Sequence, residues 1–145
     1  MYTTLLWATD GSEGAELALQ EALRLLAPGG KLIAFHCDQR FTGGRVGGVP
    51  VLADEDDRRR LVNERVEELR ASGVDAELVV EVTHQSAARA IIEAARTANV
   101  EAIVCGTRGL GGLQGVLLGS VSKELVHHAH VPVIVVPPRV TAPVA

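Results

Sequence analysis

Glycine and serine residues late in the chain are spaced as in a site that holds an anion. Gly106 and Gly109 follow the apolar run 102–105, and Gly119 and Ser120 open a segment with helical spacing. A helix N-terminus favours negative charge because its first N–H groups are unpaired and its peptide dipoles are aligned. The alternative is that these glycines only turn the chain, but an ordinary short connection would not require so wide a gap. The spacing therefore favours a phosphate site.

An aspartate early in the chain is the second candidate for ligand binding. The run 2–9 has the weak alternation of a strand, and Asp10 follows it directly, at the start of a turn with Gly11 and Ser12. An acidic side chain at the carboxyl end of a strand can accept strong hydrogen bonds from ribose hydroxyls. The same position also suits an Asx turn or a helix cap. Both interpretations stay open at this point.

Other nucleotide and catalytic signatures are absent from the sequence. No Gly-x-x-x-x-Gly-Lys-Ser/Thr run exists, and the first strand-to-helix turn, 10–14, lacks the triple-glycine dinucleotide pattern. P-loop hydrolysis and NAD binding are therefore disfavoured. No Ser-His-Asp or Cys-His arrangement can be assembled, and no general base is evident near the proposed phosphates, so no catalytic residue is predicted.

Hydrophobic periodicity predicts five strands that alternate with four helices. The predicted strands are 2–9, 32–37, 74–82, 102–105 and 133–136. The predicted helices begin near residues 15, 54, 87 and 120, and 28–30 is expected to separate the first helix from the second strand. This alternation predicts an α/β fold, an open doubly wound sheet with helices on both faces. Ligands of such sheets lie outside the carboxyl ends of the strands, where the strand order reverses.

The segment 38–52 interrupts the alternation of strands and helices. It contains four glycines and a proline and shows no sustained period, so a long loop is predicted. Long loops in compact domains are often functional. This one is either a lid over the site or plain surface variation.

The motif Gly106-x-x-Gly109, followed after nine residues by Gly119-Ser120, resembles the nucleotide-binding signature of the universal stress protein family. The stretches IVCGTRG, HVPVIVV and LLWATDGSEGAELAL are also similar to that family, and the resemblance covers nearly the whole chain. It implies the ATP-binding subgroup and an adenine nucleotide alpha hydrolase-like parallel sheet of order 3-2-1-4-5. The family domain is expected over 1–139, followed by a C-terminal tail, 140–145.

The resemblance also implies how an adenine nucleotide would lie, and it favours the ligand role of Asp10. The base would lie between Ala8, Thr9 and main-chain groups near Cys37, with Asp10 on the ribose and the phosphates on main-chain N–H groups of the glycine-rich loop. The hydroxyls of Ser120 and Ser122 would be extra donors unless they only cap the helix, and Arg108 either pairs with a phosphate or is simply solvated. The predicted set is Ala8, Thr9, Asp10, Cys37, Gly106, Arg108, Gly109, Gly119, Ser120, Val121 and Ser122.

Composition argues against several classes of partner. The 145-residue chain has a net charge of −4 and only 3% aromatic residues, whereas nucleic-acid surfaces need clustered Lys and Arg. The opening residues turn polar too soon for a signal peptide, and no apolar run approaches a membrane span. We therefore expect a cytoplasmic protein without nucleic-acid or membrane partners, in which Cys37 and Cys105 act as apolar fillers and form no disulfide.

The histidines give weaker evidence of a functional site than the glycines and Asp10 do. His127, His128 and His130 cluster near the predicted end of the fourth helix, where a proton-linked switch or a metal site is conceivable but a plain surface position is favoured. His36 lies within the second strand and is expected to be a satisfied core or rim histidine. No protein side chain is predicted as a metal ligand, although Mg²⁺ can accompany ATP through its phosphates.

The leading functional prediction is a universal stress protein that binds ATP or another adenine nucleotide as a sensor or regulatory ligand. One alternative is a slow ATPase or nucleotidyl-transfer enzyme, which would need a group poised on the γ-phosphate. Another is an interaction module with a vestigial site, because the valine-rich strand within 131–136 would lie at a sheet edge and invite pairing with a second copy. The family resemblance also implies a homodimer through this strand.

Overall fold

Five strands and four helices alternate along the part of the chain that the structure describes. The computed structural model describes residues 1–38, 51–107 and 118–139, the side chains of 51–54 excepted. In order, the elements are β1 (Tyr2–Ala8), α1 (Glu13–Leu25), β2 (Leu26–Asp38), α2 (Val51–Ala71), β3 (Asp75–Val82), α3 (Ala87–Thr97), β4 (Ala102–Gly106), α4 (Ser120–His128) and β5 (Val133–Val136).

The sheet is entirely parallel, with strand order β3-β2-β1-β4-β5. This confirms the predicted order 3-2-1-4-5. The central strand β1 pairs with β2 on one side and with β4 on the other, so the strand order reverses between β1 and β4. In an open parallel sheet this reversal opens a crevice at the carboxyl ends of the two strands.

Helices cover both faces of the sheet, as predicted. Side chains alternate along β1, so Leu5 and Trp7 point to one face and Leu6 to the other. The first face packs against buried residues of α1 and α2, such as Leu19 and Val66. The second face packs against buried residues of α3 and α4. Burial on both faces explains why the central strands read as continuous apolar runs.

Serine side chains start two of the helices. The Ser12 side chain accepts a hydrogen bond from Ala15 N at 3.2 Å and caps α1, and the Ser86 side chain accepts one from Arg89 N at 3.2 Å and caps α3. Both satisfy an N–H group that lacks a partner within the helix. The indole Nε1 of Trp7 donates to Ala15 O at 2.8 Å, which ties the first turn of α1 to β1.

The second strand begins earlier than the sequence predicts. Helix α1 ends at Leu25 and β2 begins at Leu26, so 28–30 does not separate the two elements. Tyr2 pairs with Leu26 and Thr4 with Lys31, and the extra residues on β2 are taken up by a shift in register. Gly29, at φ 75°, supplies the left-handed backbone for this irregularity. The turn-forming residues therefore lie inside the strand.

Helix α2 is the longest helix and begins at Val51, three residues before the predicted position. Its buried side is narrow, with Val62, Val66 and Leu69 against the sheet, and its outer side is mostly charged. No helix in the described ranges is both long enough and apolar enough to span a membrane.

Candidate functional site

The crevice at the carboxyl edge of the sheet is formed by the ends of β1 and β4. The register pairs Trp7 with Val104, so the residues that follow each of them run side by side toward the same edge. Asp10 and Thr107 each lie three residues beyond this pair. The structure therefore brings the end of β1 and Gly106 to one edge.

The start of α4 is fixed to the end of β4. Gly119 is the N-cap and has no side chain with which to cap the helix. Its N–H instead donates to the carbonyl oxygen of Thr107, and the Ser122 hydroxyl donates to the same oxygen at 2.9 Å. Two hydrogen bonds thus hold the helix mouth against the residue that follows β4.

Three N–H groups open the helix without an acceptor inside it. The first hydrogen bond of α4 runs from Lys123 N to Gly119 O at 3.0 Å. The groups before it belong to Ser120, Val121 and Ser122, and by helix geometry they have no partner within the helix. They carry the positive end of the helix dipole and can hold negatively charged oxygens.

The two serines of this helix mouth differ in exposure. Ser120 is exposed at the first helical position, whereas Ser122 is buried. The Ser122 hydroxyl lies 2.9 Å from Thr107 O and 3.1 Å from Gly119 O, both of which are carbonyl acceptors. Its role is therefore to anchor α4, and only its main-chain N–H is oriented as part of the helix mouth.

Asp10 forms an Asx turn, which is one of the two interpretations that the sequence leaves open for this residue. Its Oδ1 accepts a hydrogen bond from Ser12 N at 2.9 Å, which is an Asx turn. Gly11 follows at φ 79°, a left-handed conformation that favours glycine. A carboxylate can accept about four hydrogen bonds, so the turn does not preclude contact with a ligand hydroxyl.

The residues predicted to contact the base lie where β1 meets β2. Ala8 pairs with Phe35, and Thr9 N donates to Phe35 O at 2.9 Å, which continues the ladder past the end of β1. Cys37 is half-buried near the end of β2, beside Glu81 of β3. Thr9 and Cys37 therefore lie at the carboxyl edge on adjacent strands.

Both cysteine thiols are protonated at neutral pH. Burial raises the pKa of the Cys37 thiol to about 11, with smaller contributions from Glu81 and Glu55. Burial alone raises the pKa of the Cys105 thiol to about 11. Because the thiolate is the reactive form, neither cysteine is an activated nucleophile.

A buried pair near the crevice was missed from the sequence. His36 Nδ1 lies 3.0 Å from Thr9 O and its Nε2 lies 2.8 Å from Glu55 Oε1. Both side chains are about 1% exposed, and Arg58 Nη1 lies 3.3 Å from Glu55 Oε2. The prediction of a satisfied histidine is confirmed. The available signal was a lone histidine in an apolar strand followed by a helix with an acidic beginning.

A groove of about 380 Å³ lies between the N-terminus of α1 and the middle of α2. Trp7 and Val62 are among its apolar lining residues. Its charged lining residues are Glu13, Glu16, Glu64, Arg65 and Glu68. Arg65 is held by Glu16, with Nη2 to Oε1 at 2.9 Å and Nε to Oε2 at 3.1 Å. Four carboxylates around one paired guanidinium repel phosphate, so the start of α4 is the better place for an anion.

His127, His128 and His130 are exposed, which confirms the surface interpretation. Within the described ranges, no three His, Cys, Asp or Glu residues are grouped to hold a metal ion. Arg108, Gly109 and the segment 39–50 of the predicted loop lie outside the described residues.

A parallel sheet of this order, with a helix mouth anchored at its switch point, defines an α/β protein of the class that binds ligands at the carboxyl edge. Residues 1–137 match the universal stress protein family, and the chain belongs to that family. A universal stress protein of Thermus aquaticus is 35% identical over 142 residues, which cover 94% of this chain and 99% of the relative. One from Mycobacterium tuberculosis is 31% identical over 92% of this chain. The chain spans only 45% of the length of that mycobacterial relative.

Solved structures of universal stress proteins share this fold. The protein UspA from Lactobacillus plantarum superposes with a TM-score of 0.70 at 23% identity, over 93% of this chain and 97% of the other. A universal stress protein in complex with cAMP gives a TM-score of 0.60 at 24% identity, with the same coverage. One from Archaeoglobus fulgidus in complex with dAMP gives 0.63 at 22% identity, again over 93% and 97% of the two chains. At these identities the likeness establishes the fold.

Proposed function

We propose that this universal stress protein domain binds an adenine nucleotide, ATP foremost, as a sensor or regulatory ligand in the stress response. The observation that carries the proposal is the mouth of α4, which is anchored to Thr107 at the edge where the Asp10 turn also ends. One side offers main-chain N–H donors for phosphates, and the other offers a carboxylate for ribose hydroxyls.

In the proposed complex, the base lies between Ala8, Thr9 and the main chain near Cys37. The ribose lies on Asp10. The phosphates lie over the glycine-rich loop, where a glycine permits close approach of the backbone. The residues proposed for this loop are Gly106, Arg108, Gly109, Gly119, Ser120, Val121 and Ser122, with Mg²⁺ held through the phosphates and not by protein side chains.

Two family members with this fold support the class of ligand. One is in complex with cAMP and the other with dAMP, and both ligands combine adenine, a sugar and a phosphate. That combination fits a crevice with a carboxylate at one side and a helix mouth at the other. The choice of ATP over smaller adenine nucleotides rests on the glycine and serine spacing of this chain.

The experiment is a calorimetric titration of the protein with ATP and with AMP, in the presence of Mg²⁺. Gly119→Val should weaken ATP binding, because a branched side chain at the N-cap blocks the approach of phosphate to the first turn of α4. Gly119→Ala is the matched variant with the smaller side chain, and it should weaken binding less. Absence of ATP binding by the wild type, or equal affinity in Gly119→Val, would remove the proposal.

A slow ATPase or nucleotidyl transferase is the less favoured alternative. Such an enzyme needs a group poised on the γ-phosphate. In the described part of the crevice, Asp10 is proposed to bind the ribose, away from the γ-phosphate, and the Cys37 thiol is protonated. Multiple-turnover phosphate release far above the uncatalysed rate would favour the enzyme over the binding protein.

A second candidate function is assembly with another copy through β5, with a cytoplasmic homodimer as the working state. The supporting observation is the place of β5 in the sheet, since it pairs with β4 on one side and is the last strand in the order. All four of its residues are half-buried. An apolar edge strand is a template for pairing with a second chain. This assembly could accompany nucleotide binding or, if the site were vestigial, replace it.

A further inference from the structure

A chain of buried polar groups connects the end of β1 with α2. Thr9 contributes its carbonyl oxygen, His36 of β2 contributes both ring nitrogens, and Glu55 of α2 contributes a carboxylate. The two contacts measure 3.0 Å and 2.8 Å, and both side chains are about 1% exposed. Three elements that are distant in sequence therefore meet through hydrogen bonds inside the protein.

The arrangement of protons in this chain follows from its geometry. A carbonyl oxygen can only accept, so His36 Nδ1 donates to Thr9 O. The 2.8 Å contact between His36 Nε2 and Glu55 Oε1 then needs one further proton, carried by the ring or by the carboxyl group. In either case each ring nitrogen has a partner. A fully satisfied buried network of this kind is rigid and fixes the orientation of the ring.

Thr9 is the residue through which this network reaches the crevice. Its N–H donates to Phe35 O at 2.9 Å, and its Oγ1 accepts a hydrogen bond from Gly11 N at 3.2 Å. Its carbonyl belongs to the peptide group that leads into Asp10. The His36 contact therefore fixes the orientation of the peptide from which the Asx turn begins.

We infer that His36 and Glu55 are positioning residues, which hold the Thr9–Asp10 backbone in the geometry that binds the nucleotide. Through the same contacts, binding of a nucleotide in the crevice stabilises the packing of α2 against the sheet. The inference rests on the proposed function, because it assumes that a nucleotide binds at this edge. Neither side chain touches the nucleotide, since both are buried behind the backbone that does. Glu55 lies within the first turns of α2, so a ligand that stabilises the Thr9 peptide also stabilises this end of the helix.

The test compares Glu55→Leu with Glu55→Gln. Leucine removes the partner of His36 Nε2, and we expect the dissociation constant for ATP to rise about tenfold, as for one lost net hydrogen bond. Glutamine can donate its amide N–H to a neutral ring that still donates from Nδ1, so its dissociation constant should stay within about twofold of the wild-type value. Calorimetry measures both, and urea unfolding of each variant without ligand measures stability separately.

Amide hydrogen exchange of residues 55–62 measures whether ATP binding stabilises α2. If His36 and Glu55 had only a structural role, ATP would not change this exchange rate. ATP should slow exchange in the wild type and in Glu55→Gln, and should leave it unchanged in Glu55→Leu. The double variant H36L/E55L guards against misfolding, because a buried ion pair can often be replaced by apolar residues without loss of stability. It should fold and show the same loss of coupling.

The outcomes separate this inference from the function on which it rests. If the wild type does not bind ATP, the proposed function fails and the inference falls with it. If the wild type binds ATP but exchange at 55–62 does not respond, or if Glu55→Leu binds and responds as the wild type does, only the inference is overturned. The wild-type exchange measurement decides this even if both leucine variants fail to fold.

Discussion

The hydroxyl of Ser122 is directed into the protein, whereas Ser120, two residues earlier, is exposed. The sequence offers both serines equally as phosphate donors or as helix caps. The structure separates them, because the Ser122 side chain lies against the carbonyl oxygens of Thr107 and Gly119. One serine is thus a stability determinant, and the other is free for a role in binding.

Alanine variants should separate these two roles. Ser122→Ala removes the hydroxyl that joins α4 to Thr107 O, while both carbonyl oxygens keep a main-chain donor, so the free energy of unfolding should fall by about 1 kcal/mol. Ser120→Ala removes an exposed hydroxyl, so stability should hardly change while ATP affinity falls by up to about tenfold. Urea unfolding and calorimetric titration of both variants provide the check. A larger loss of stability in Ser120→Ala would contradict the assignment.

The two cysteines should make the free energy of unfolding depend on pH in the alkaline range. Burial raises the pKa of each thiol from its ordinary value of 9.0 to about 11 in the folded protein, so the folded state retains protons that the unfolded state releases. The contribution of the thiols to stability is complete below pH 9, and it is lost as pH rises toward about 11. The urea midpoint should fall over this range, and it should fall less steeply in C37A/C105A.

At the scale of individual elements, sequence periodicity predicts four of the five strands within one residue of their observed ends, the edge strands β3 and β5 included. Each of these strands is bounded in the sequence by residues that break its pattern, so its ends can be found locally. The start of β2 was wrong, since Pro28 and Gly29 signal a turn locally but pairing with β1 holds them in the strand. The lone histidine of β2 and the acidic start of α2 indicate that His36 has a partner, but periodicity cannot show which helix residue faces a given strand residue, so Glu55 is not identified from the sequence.

The hydrogen bonds of β5 suggest a sharp test of the proposed dimer. Carbonyl oxygens of Pro132 and Val136 accept from β4 and from Thr107, so alternate residues of β5, including Ile134, face β4. Val133 and Val135 therefore direct their N–H groups toward the open edge. Val135→Pro should abolish pairing with a second copy while leaving the β4–β5 ladder intact.

Ile134→Pro is the matched comparison, because it removes an N–H directed at β4 and should destabilise the monomer itself. Light scattering measures the mass of each variant, and circular dichroism measures its thermal stability. If the wild type scatters as a monomer, or if Val135→Pro retains the wild-type mass, β5 is not the interface.

At the scale of the whole molecule, the fold was predictable to a greater extent than the site. Alternating strands and helices predict an α/β sheet, and resemblance to the family supplied its strand order, which the structure confirms. The edge that carries Asp10 and Gly106 follows from that order. The hydrogen-bond partners of the side chains at this edge do not follow from the strand order. The Asx turn of Asp10 and the inward hydroxyl of Ser122 depend on distances that are set only when the chain folds.

A nucleotide that binds only the folded state should stabilise the entire domain. At a free ATP concentration of one hundred times the dissociation constant, the free energy of unfolding should rise by about 2.7 kcal/mol. Urea unfolding with and without ATP measures this increase. Gly119→Val should show almost none of it under the same conditions, and an equal increase in that variant would place the nucleotide elsewhere.

Trp7 is the single tryptophan of the chain, and its indole N–H is bonded to the Ala15 carbonyl just behind the Asp10 turn. This gives the protein a built-in fluorophore where the first turn of α1 packs against β1, with no competing emission from a second indole. Movement of the α1 start relative to β1 would alter the surroundings of that ring and so its spectrum. Ligand arrival could then be followed in real time by stopped-flow fluorescence on the unlabelled protein.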